Sequence, residues 1–143
     1  MRYLLMVSHG TFAPGLHSVL KMLMGERADV LSCSLEDGMS ADQYVENLKQ
    51  VVEPVSADDE IVLLGDIIGG SPLTNALNVL TEKGLLAHTV AVGGMNLPMA
   101  MTALMALENS DLATLKASMI EEARNGVAEL AIDLGSDDED DDI

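Results

Sequence analysis

Short, mostly apolar runs alternate with longer amphipathic stretches along this chain. The runs are strand-sized, and each is followed closely by Gly, Asp, Ser or His, which commonly end a strand. Apolar runs of this length are typical of parallel strands that are buried on both faces. The pattern predicts strands at residues 4–7, 30–35, 61–64 and 89–92.

Amphipathic stretches fill the gaps between these runs. Their apolar residues recur at helical spacing, and their ends carry helix signals. A Ser40-x-x-Gln43 capping box precedes the second stretch, and Ser71-Pro72 begins the third, which Gly84 closes. The predicted helices cover residues 16–24, 44–52, 73–80, 97–107 and 111–125. The resulting order βαβαβαβαα predicts an α/β fold, an open doubly wound sheet of mainly parallel strands with helices on both faces.

The C-terminal segment has a different pattern. After Gly126, residues 127–134 alternate apolar and polar side chains, which predicts a half-exposed edge strand. Residues 136–143 contain six acidic side chains and little that could be buried, so we expect a disordered tail there. The chain is therefore expected to consist of one domain, residues 1–135, and an acidic tail, residues 136–143.

Composition narrows the class of protein. The 143 residues, 48% of them hydrophobic, suffice for a single core. The net charge of -17 repels nucleic-acid phosphates and anionic lipids, so a macromolecular partner should present a basic face. No apolar stretch approaches the roughly 20 residues of a membrane helix, and no signal peptide precedes the first strand, which predicts a cytoplasmic location without membrane insertion. The single cysteine, Cys33, lies among apolar residues and is expected to be a buried, inert thiol.

The candidate catalytic and binding residues lie just after the ends of the strands. In an open parallel sheet these ends share one edge, where ligands bind near the point at which the strand order reverses. His9 follows the first strand, Asp66 follows the third, and Gly69-Gly70-Ser71 leads into the next helix. A carboxylate that accepts a hydrogen bond from one imidazole nitrogen makes the other more nucleophilic, and backbone N–H groups at a helix start bind phosphate. The set predicts capture of a phosphoryl group on histidine.

Other chemistries lack their sequence cues. The chain has no G-x-G-x-x-G, Walker, C-x-x-C or H-E-x-x-H motif, so we expect neither a metal nor another cofactor. A histidine phosphatase would need arginines clustered around the histidine, and Arg2, Arg27 and Arg124 do not supply that cluster. Of the other histidines, His17 is expected on the solvated face of its helix and His88 at the opposite edge of the sheet.

Three ordered motifs resemble those of a known family. They are Ser8-His9-Gly10 with Ala13-Pro14-Gly15-Leu16 and Met24-Gly25-Glu26, then Asp66-Ile67-Ile68-Gly69-Gly70-Ser71-Pro72, then Gly94-Met95-Asn96-Leu97-Pro98-Met99. On these motifs the chain resembles the enzyme IIA component (type 4) of mannose-family sugar phosphotransferase systems, over roughly residues 1–131.

The resemblance implies a cytoplasmic phosphocarrier with a phosphohistidine intermediate. His9 would accept a phosphoryl group on Nε2 from the phosphocarrier HPr and pass it to a histidine of a IIB component. Asp66 would accept a hydrogen bond from Nδ1–H of His9, and Gly69, Gly70 and Ser71 would hold the phosphoryl group. Sugar uptake and phosphorylation would then follow in IIB and in the membrane components IIC and IID.

Two further expectations concern assembly. Because the sequence ends in the acidic tail, IIB is expected to be a separate polypeptide. The resemblance also implies a homodimer in which the last strand is exchanged between the two chains. In that arrangement each chain would complete the sheet of the other.

Two alternative functions remain open. One is the related phosphoacceptor subunit that supplies dihydroxyacetone kinase, whose signature looks more like Ser-His-Ser than Ser8-His9-Gly10. The other is a non-catalytic regulatory module, in which phosphorylation of His9 signals to a partner. Onward transfer of the phosphoryl group would distinguish a carrier from such a module.

Overall fold

The computed structural model describes residues 1–135, and the tail at 136–143, predicted to be disordered, lies outside the described residues. Strands and helices alternate in the predicted order up to the last two helices, which are consecutive. The strands are β1 (Arg2–His9), β2 (Val30–Leu35), β3 (Glu60–Gly65) and β4 (Thr89–Val92). The helices are α1 (Phe12–Met24), α2 (Ala41–Val51), α3 (Ser71–Glu82), α4 (Leu97–Met105) and α5 (Leu112–Asn125), with a 3₁₀ turn at Leu86–His88. Each strand and helix predicted before residue 126 is thus confirmed.

The strands form a parallel sheet in the order β2-β1-β3-β4. Leu4 of β1 is paired with Val30 of β2 on one side and with Val62 of β3 on the other. From β1 the chain first moves outward to β2 and then returns to the other side for β3 and β4, so the strand order reverses between β1 and β3. The predicted doubly wound sheet is confirmed, and its crevice opens where β1 and β3 end.

Helices cover both faces of the sheet and bury alternate residues of the central strands. Leu4 and Met6 pack on one face with α1, α4 and α5, whereas Leu5 and Val7 pack on the other with α2 and α3. Full burial of a side chain of this size contributes about 1.5–3 kcal/mol to the stability of the fold. The loops that carry the site therefore begin from well-packed strands. No helix within residues 1–135 is both long and apolar enough to span a membrane.

The helix starts differ slightly from their sequence signals. At α2 the Ser40 Oγ accepts a hydrogen bond from the Gln43 N–H (3.1 Å), as predicted. The Gln43 side chain, however, donates to Asn47 Oδ1 (2.9 Å) instead of completing the capping box. At α3 the N-cap is Gly70, and Ser71 is the first helical residue. Ser71 therefore lies one position further into the helix than its signal suggested.

The segment after α5 differs from the prediction. Residues 127–135 belong to neither a helix nor a strand, so the predicted edge strand is not part of this sheet. Its apolar side chains are exposed to solvent, with Leu130 at 83%, Ile132 at 77% and Leu134 at 94%. A strand gains its hydrogen bonds only beside an open sheet edge, and within residues 1–135 this segment pairs with no strand. Exchange of the strand between two chains stays a prediction.

Candidate functional site

The candidate site lies where β1 and β3 end side by side. His9 is the last residue of β1, and Asp66 directly follows β3. The Nδ1 atom of His9 is 2.8 Å from Oδ2 of Asp66, and the same oxygen accepts a hydrogen bond from the backbone N–H of His9 (2.9 Å). Because an ionised carboxylate can only accept hydrogen bonds, Nδ1 of a neutral imidazole carries the proton and Nε2 keeps its lone pair. Nε2 is thus the atom free to act as a nucleophile.

Hydrogen bonds keep the Asp66 carboxyl group ionised. Burial alone would raise its pKa, but the backbone N–H of His9, the imidazole of His9 and the backbone N–H of Ile67 together hold that pKa below its ordinary value. The N–H of Ile67 donates to the second carboxylate oxygen, Oδ1, at 3.0 Å. The side chain of Asp66 is 15% exposed and that of His9 is 47% exposed. The acceptor is therefore sheltered, while the imidazole stays accessible to a partner.

The turn from β1 into α1 fixes the position of His9. Gly10 has a positive φ of 57°, which favours glycine, and its N–H donates to a carbonyl at the end of β2 (2.8 Å). Thr11, at the N-cap of α1, makes no side-chain cap. The buried hydroxyl of Ser8 instead accepts a hydrogen bond from the Ala13 N–H (2.7 Å). This capping role of Ser8 was missed at the sequence level, although a serine shortly before a helix is a common cap signal.

The glycine loop after β3 approaches the imidazole at Gly70. A Cβ atom on Gly70 would lie 2.8 Å from Cε1 of His9, the carbon between the two ring nitrogens. Gly69 adopts a positive φ of 84°, which turns the loop into α3. Ser71 is exposed at the first position of α3, and its Oγ accepts a hydrogen bond from Asn75 Nδ2 (2.9 Å). The structure thus brings His9, Asp66 and Gly70 together, with Ser71 one residue beyond.

A second loop, after β4, supports the first. The N–H of Gly94 donates to the backbone carbonyl of Asp66 (3.1 Å). Ile68 packs against Gly93, where a Cβ atom would collide with the isoleucine. The third sequence motif therefore belongs to the same edge of the sheet and holds the loop that carries Asp66.

The other two histidines lie away from this site. His17 is half-buried, and its Nδ1 lies 2.7 Å from the Ser32 hydroxyl, so the prediction that it is solvated is wrong. Burial lowers the pKa of His17, an effect that Glu26 opposes and Lys21 reinforces. His88 ends the 3₁₀ turn that precedes β4 and therefore lies at the opposite edge of the sheet, as predicted.

The cysteine and two of the three arginines lie elsewhere in the fold. Cys33 is buried, as predicted, and burial raises its pKa to about 11. Arg2 and Arg27 form ion pairs at the opposite edge of the sheet, and Arg124 lies near the end of α5. Within residues 1–135, no group of three or more His, Cys, Asp or Glu side chains is placed to hold a metal ion.

The arrangement suits the binding and transfer of a phosphoryl group. Nε2 of His9 supplies a lone pair, and Asp66 offsets the positive charge that the ring would gain. The N–H groups in the first turn of a helix lack partners within the helix, and the helix dipole favours an anion beside them. The start of α3 provides such a turn next to the imidazole.

Comparison with known families gives an independent result. Residues 3–120 match the family model EIIA-man, described as "PTS system fructose IIA component". The matched region contains His9, Asp66 and the Gly69-Gly70-Ser71 loop.

Individual relatives agree with this match. The chain is 28% identical over 124 residues to the "PTS system mannose-specific EIIAB component" of Escherichia coli (strain K12), and the aligned part is 86% of this chain but 38% of that protein. The chain thus spans less than half the length of this relative. Among solved structures, it resembles phosphotransferase system component EIIA from Streptococcus agalactiae (25% identity, TM-score 0.74, 90% of this chain and 97% of that one). It also resembles the PTS IIA protein associated with the fucose utilization operon from Streptococcus pneumoniae (25% identity, TM-score 0.75, 90% of this chain and 92% of that one).

Proposed function

Because this chain belongs to the EIIA-man family of phosphotransferase-system IIA components, we propose that it is a cytoplasmic phosphocarrier that holds a phosphoryl group on Nε2 of His9. The observation that carries the proposal is the 2.8 Å contact between Nδ1 of His9 and the Asp66 carboxylate, which leaves Nε2 unprotonated. The donor is phosphorylated HPr, and the acceptor is a histidine of a IIB component. The membrane components IIC and IID complete the system by coupling the transfer to sugar uptake.

The transfer step exchanges one phosphorus–nitrogen bond for another. The Nε2 lone pair of His9 attacks the phosphorus atom of the donor's phosphohistidine, and the donor imidazole leaves with the electron pair of the broken bond. Since both bonds join phosphorus to imidazole, the step needs orientation and charge stabilisation more than a strong acid, base or metal. Asp66 retains its hydrogen bond to Nδ1–H throughout. Transfer to IIB repeats the step with His9 as the leaving group.

The start of α3 is the proposed binding site of the phosphoryl group that His9 carries. The N–H groups of Gly69 and Gly70 and the hydroxyl of Ser71 are its proposed donors. The support for this assignment is the close approach of Gly70 to Cε1 of His9, which puts the loop beside the reactive half of the ring. The N-terminal end of the α3 dipole adds favourable potential for an anion.

Exposed apolar side chains follow the two strands that end at the site. Phe12, at the start of α1, and Ile67 and Ile68, in the loop after β3, are large and apolar, yet all three are exposed. An apolar patch beside a reactive group is typical of a protein–protein contact. HPr and IIB are proposed to dock here in turn, each through an apolar centre with a basic rim that complements the net charge of -17.

Among the described residues β4 is an edge strand of the sheet, and its outer edge is the proposed site of dimerisation. A groove of about 440 Å³ lies beside β4 and is lined in part by Ile68, Ile120, Lys116 and Arg124. As a strand, residues 127–134 would carry Leu130, Ile132 and Leu134 on one side, and these apolar side chains match the apolar part of this lining. We propose that this segment of a second chain pairs with β4 and fills the groove, forming a homodimer. Because the groove includes Ile68, the partner chain would border the docking patch.

Incubation with phosphorylated HPr tests the proposed function. The chain should gain one phosphate that survives alkali and is lost in acid, and a cognate IIB should then remove it. His9→Ala should abolish the label, whereas His17→Ala and His88→Ala should retain it and serve as controls. A label that stays on the chain in the presence of IIB would favour the regulatory module, and transfer to the dihydroxyacetone kinase subunits would favour the other alternative. A label on the His9→Ala chain would refute the assignment of the phosphoacceptor.

A further inference from the structure

Tyr44 lies in the core behind the site, and its hydroxyl reaches α3. The side chain is fully buried in the core that α2 and α3 form with the sheet, and among the described residues it is the largest side chain buried to this degree. Its Oη donates a hydrogen bond of 2.7 Å to the backbone carbonyl of Pro72. This bond crosses from α2 to α3, 28 residues further along the chain.

The bonded carbonyl belongs to the first turn of α3. Pro72 is the second residue of this helix and follows Gly70 and Ser71 directly. A carbonyl at this position normally accepts the N–H four residues further on, so the Tyr44 hydroxyl uses the second lone pair of the oxygen. The bond therefore adds nothing that the helix itself requires. Its effect is to fix the first turn of α3 relative to α2.

Tight packing holds the same turn against β3. A Cβ atom on Gly65 would lie 2.9 Å from the Leu73 side chain, so the helix rests directly on the end of β3. Gly65 immediately precedes Asp66. Burial is the main cause of the raised pKa of Tyr44. Tyr44 thus contacts the helix turn that directly follows the glycine loop.

We propose that Tyr44 is a positioning residue for the phosphoryl-binding turn, an inference that rests on the function proposed above. Through its hydrogen bond to Pro72, it holds the N–H group of Gly70 and the hydroxyl of Ser71 where they meet a phosphoryl group on His9. The side chain is buried and cannot touch a docked protein. It therefore affects the rate of transfer within the complex and leaves the affinity for the donor unchanged.

Tyr44→Phe removes only the hydroxyl and tests this role. Tyr3→Phe is the matched control, because Tyr3 is buried in the same core but near the start of β1, at the opposite edge of the sheet. With phosphorylated HPr at saturation, we expect Tyr44→Phe to transfer about tenfold more slowly, since a small misplacement of a binding group is costly in rate. The HPr concentration for half-maximal rate should not change, and Tyr3→Phe should alter neither quantity. A wild-type rate for Tyr44→Phe would overturn the proposal.

NMR of the unphosphorylated chain separates this proposal from the proposed function. The amide signals of Gly70 and Ser71 should shift in Tyr44→Phe and stay in place in Tyr3→Phe. If phosphorylated HPr does not label the wild-type chain, the proposed function is wrong. The shifts of the Gly70 and Ser71 signals would still support the positioning role of Tyr44. Unmoved Gly70 and Ser71 signals would refute that role. Tyr44→Phe is expected to fold, because Phe fills nearly the same space as Tyr. If it does not fold, Tyr44→Met, which also lacks the hydroxyl, gives the same comparison.

Discussion

Gly70 lies against the imidazole of His9, so that a Cβ atom at position 70 would be 2.8 Å from Cε1. The backbone at Gly70 has φ -83° and ψ 157°, a conformation that any residue adopts. Glycine is therefore required here for space and not for backbone freedom. The loop after β3 restricts the ring to orientations in which Nδ1 faces Asp66.

Gly70→Ala should disturb the site without disturbing the backbone. The added methyl group displaces the imidazole of His9 and weakens its hydrogen bond to Asp66, so phosphorylation by HPr should slow about tenfold or more. Gly15→Ala is the control, because Gly15 lies within α1 and a Cβ atom there would meet open space. That variant should gain up to about 1 kcal/mol of stability and keep its labelling rate. Unchanged labelling of Gly70→Ala would contradict the tight contact.

Asp66→Asn should keep the fold and slow both phosphorylation and onward transfer. An amide oxygen is a weaker acceptor than a carboxylate, and loss of a charge-assisted bond of about 1.5–3 kcal/mol corresponds to roughly a tenfold to hundredfold slower reaction. Asp111→Asn is the matched control, because Asp111 caps α5 through a bond to the Thr114 N–H (2.7 Å) and Asn caps equally well. If Asp66→Asn labels at the wild-type rate, the orienting role of the carboxylate is wrong.

His17 should make the stability of the fold depend on pH. Burial lowers its pKa in the folded chain, so the folded state binds fewer protons than the unfolded state. The neutral His17 side chain contributes its full stabilisation above the pKa of about 6.5 that it has in the unfolded chain. This contribution is lost as the pH falls through the lower pKa of the folded chain. In urea unfolding at pH 7.5 and pH 5, His17→Gln should therefore lose less stability than the wild type on acidification. An equal loss of stability in His17→Gln and in the wild type would contradict this role of His17.

Cys33 should resist alkylation in the folded chain. Its pKa of about 11 leaves very little thiolate at neutral pH, and the side chain is buried. Reaction with iodoacetamide at pH 8 should be at least about a hundredfold slower than that of a free thiol, and unfolding in urea should abolish the difference. A Met22→Cys, Cys33→Ser chain should react rapidly, because position 22 is exposed on α1. Rapid labelling of the folded wild-type chain would show that its core opens readily.

The homodimer can be tested through the segment after α5. Light scattering should give a dimer for the full chain and a monomer for a form that ends at Gly126. Ile132→Glu should also give a monomer, because it places a charge on the apolar side of the segment, whereas Glu129→Gln on the other side should stay dimeric. A monodisperse monomer for the full chain at micromolar concentration would refute strand exchange.

The sequence by itself determined the fold and the edge at which the site lies. Apolar runs and amphipathic stretches differ in period, and this difference, with the residues that begin and end each element, defined the strands and helices before residue 126 and their order. Parallel strands joined by helices end at one edge of a sheet, so the positions of His9 and Asp66 just after their strands were enough to predict their proximity. The helix starts were predicted less closely, since Ser71 and Gly70 differ by one position in a turn that either residue can cap.

Only the tertiary structure decided how individual side chains meet. The fit of Gly70 against His9, the bond from Tyr44 to Pro72 and the contact of His17 with Ser32 join residues from different elements. Such contacts depend on the exact spacing of packed layers, and hydrophobic periodicity does not encode that spacing. The alternating pattern after Gly126 likewise shows that residues 127–134 can form a strand. Whether they do depends on a neighbouring sheet edge, because a strand is stable only when its backbone groups are paired.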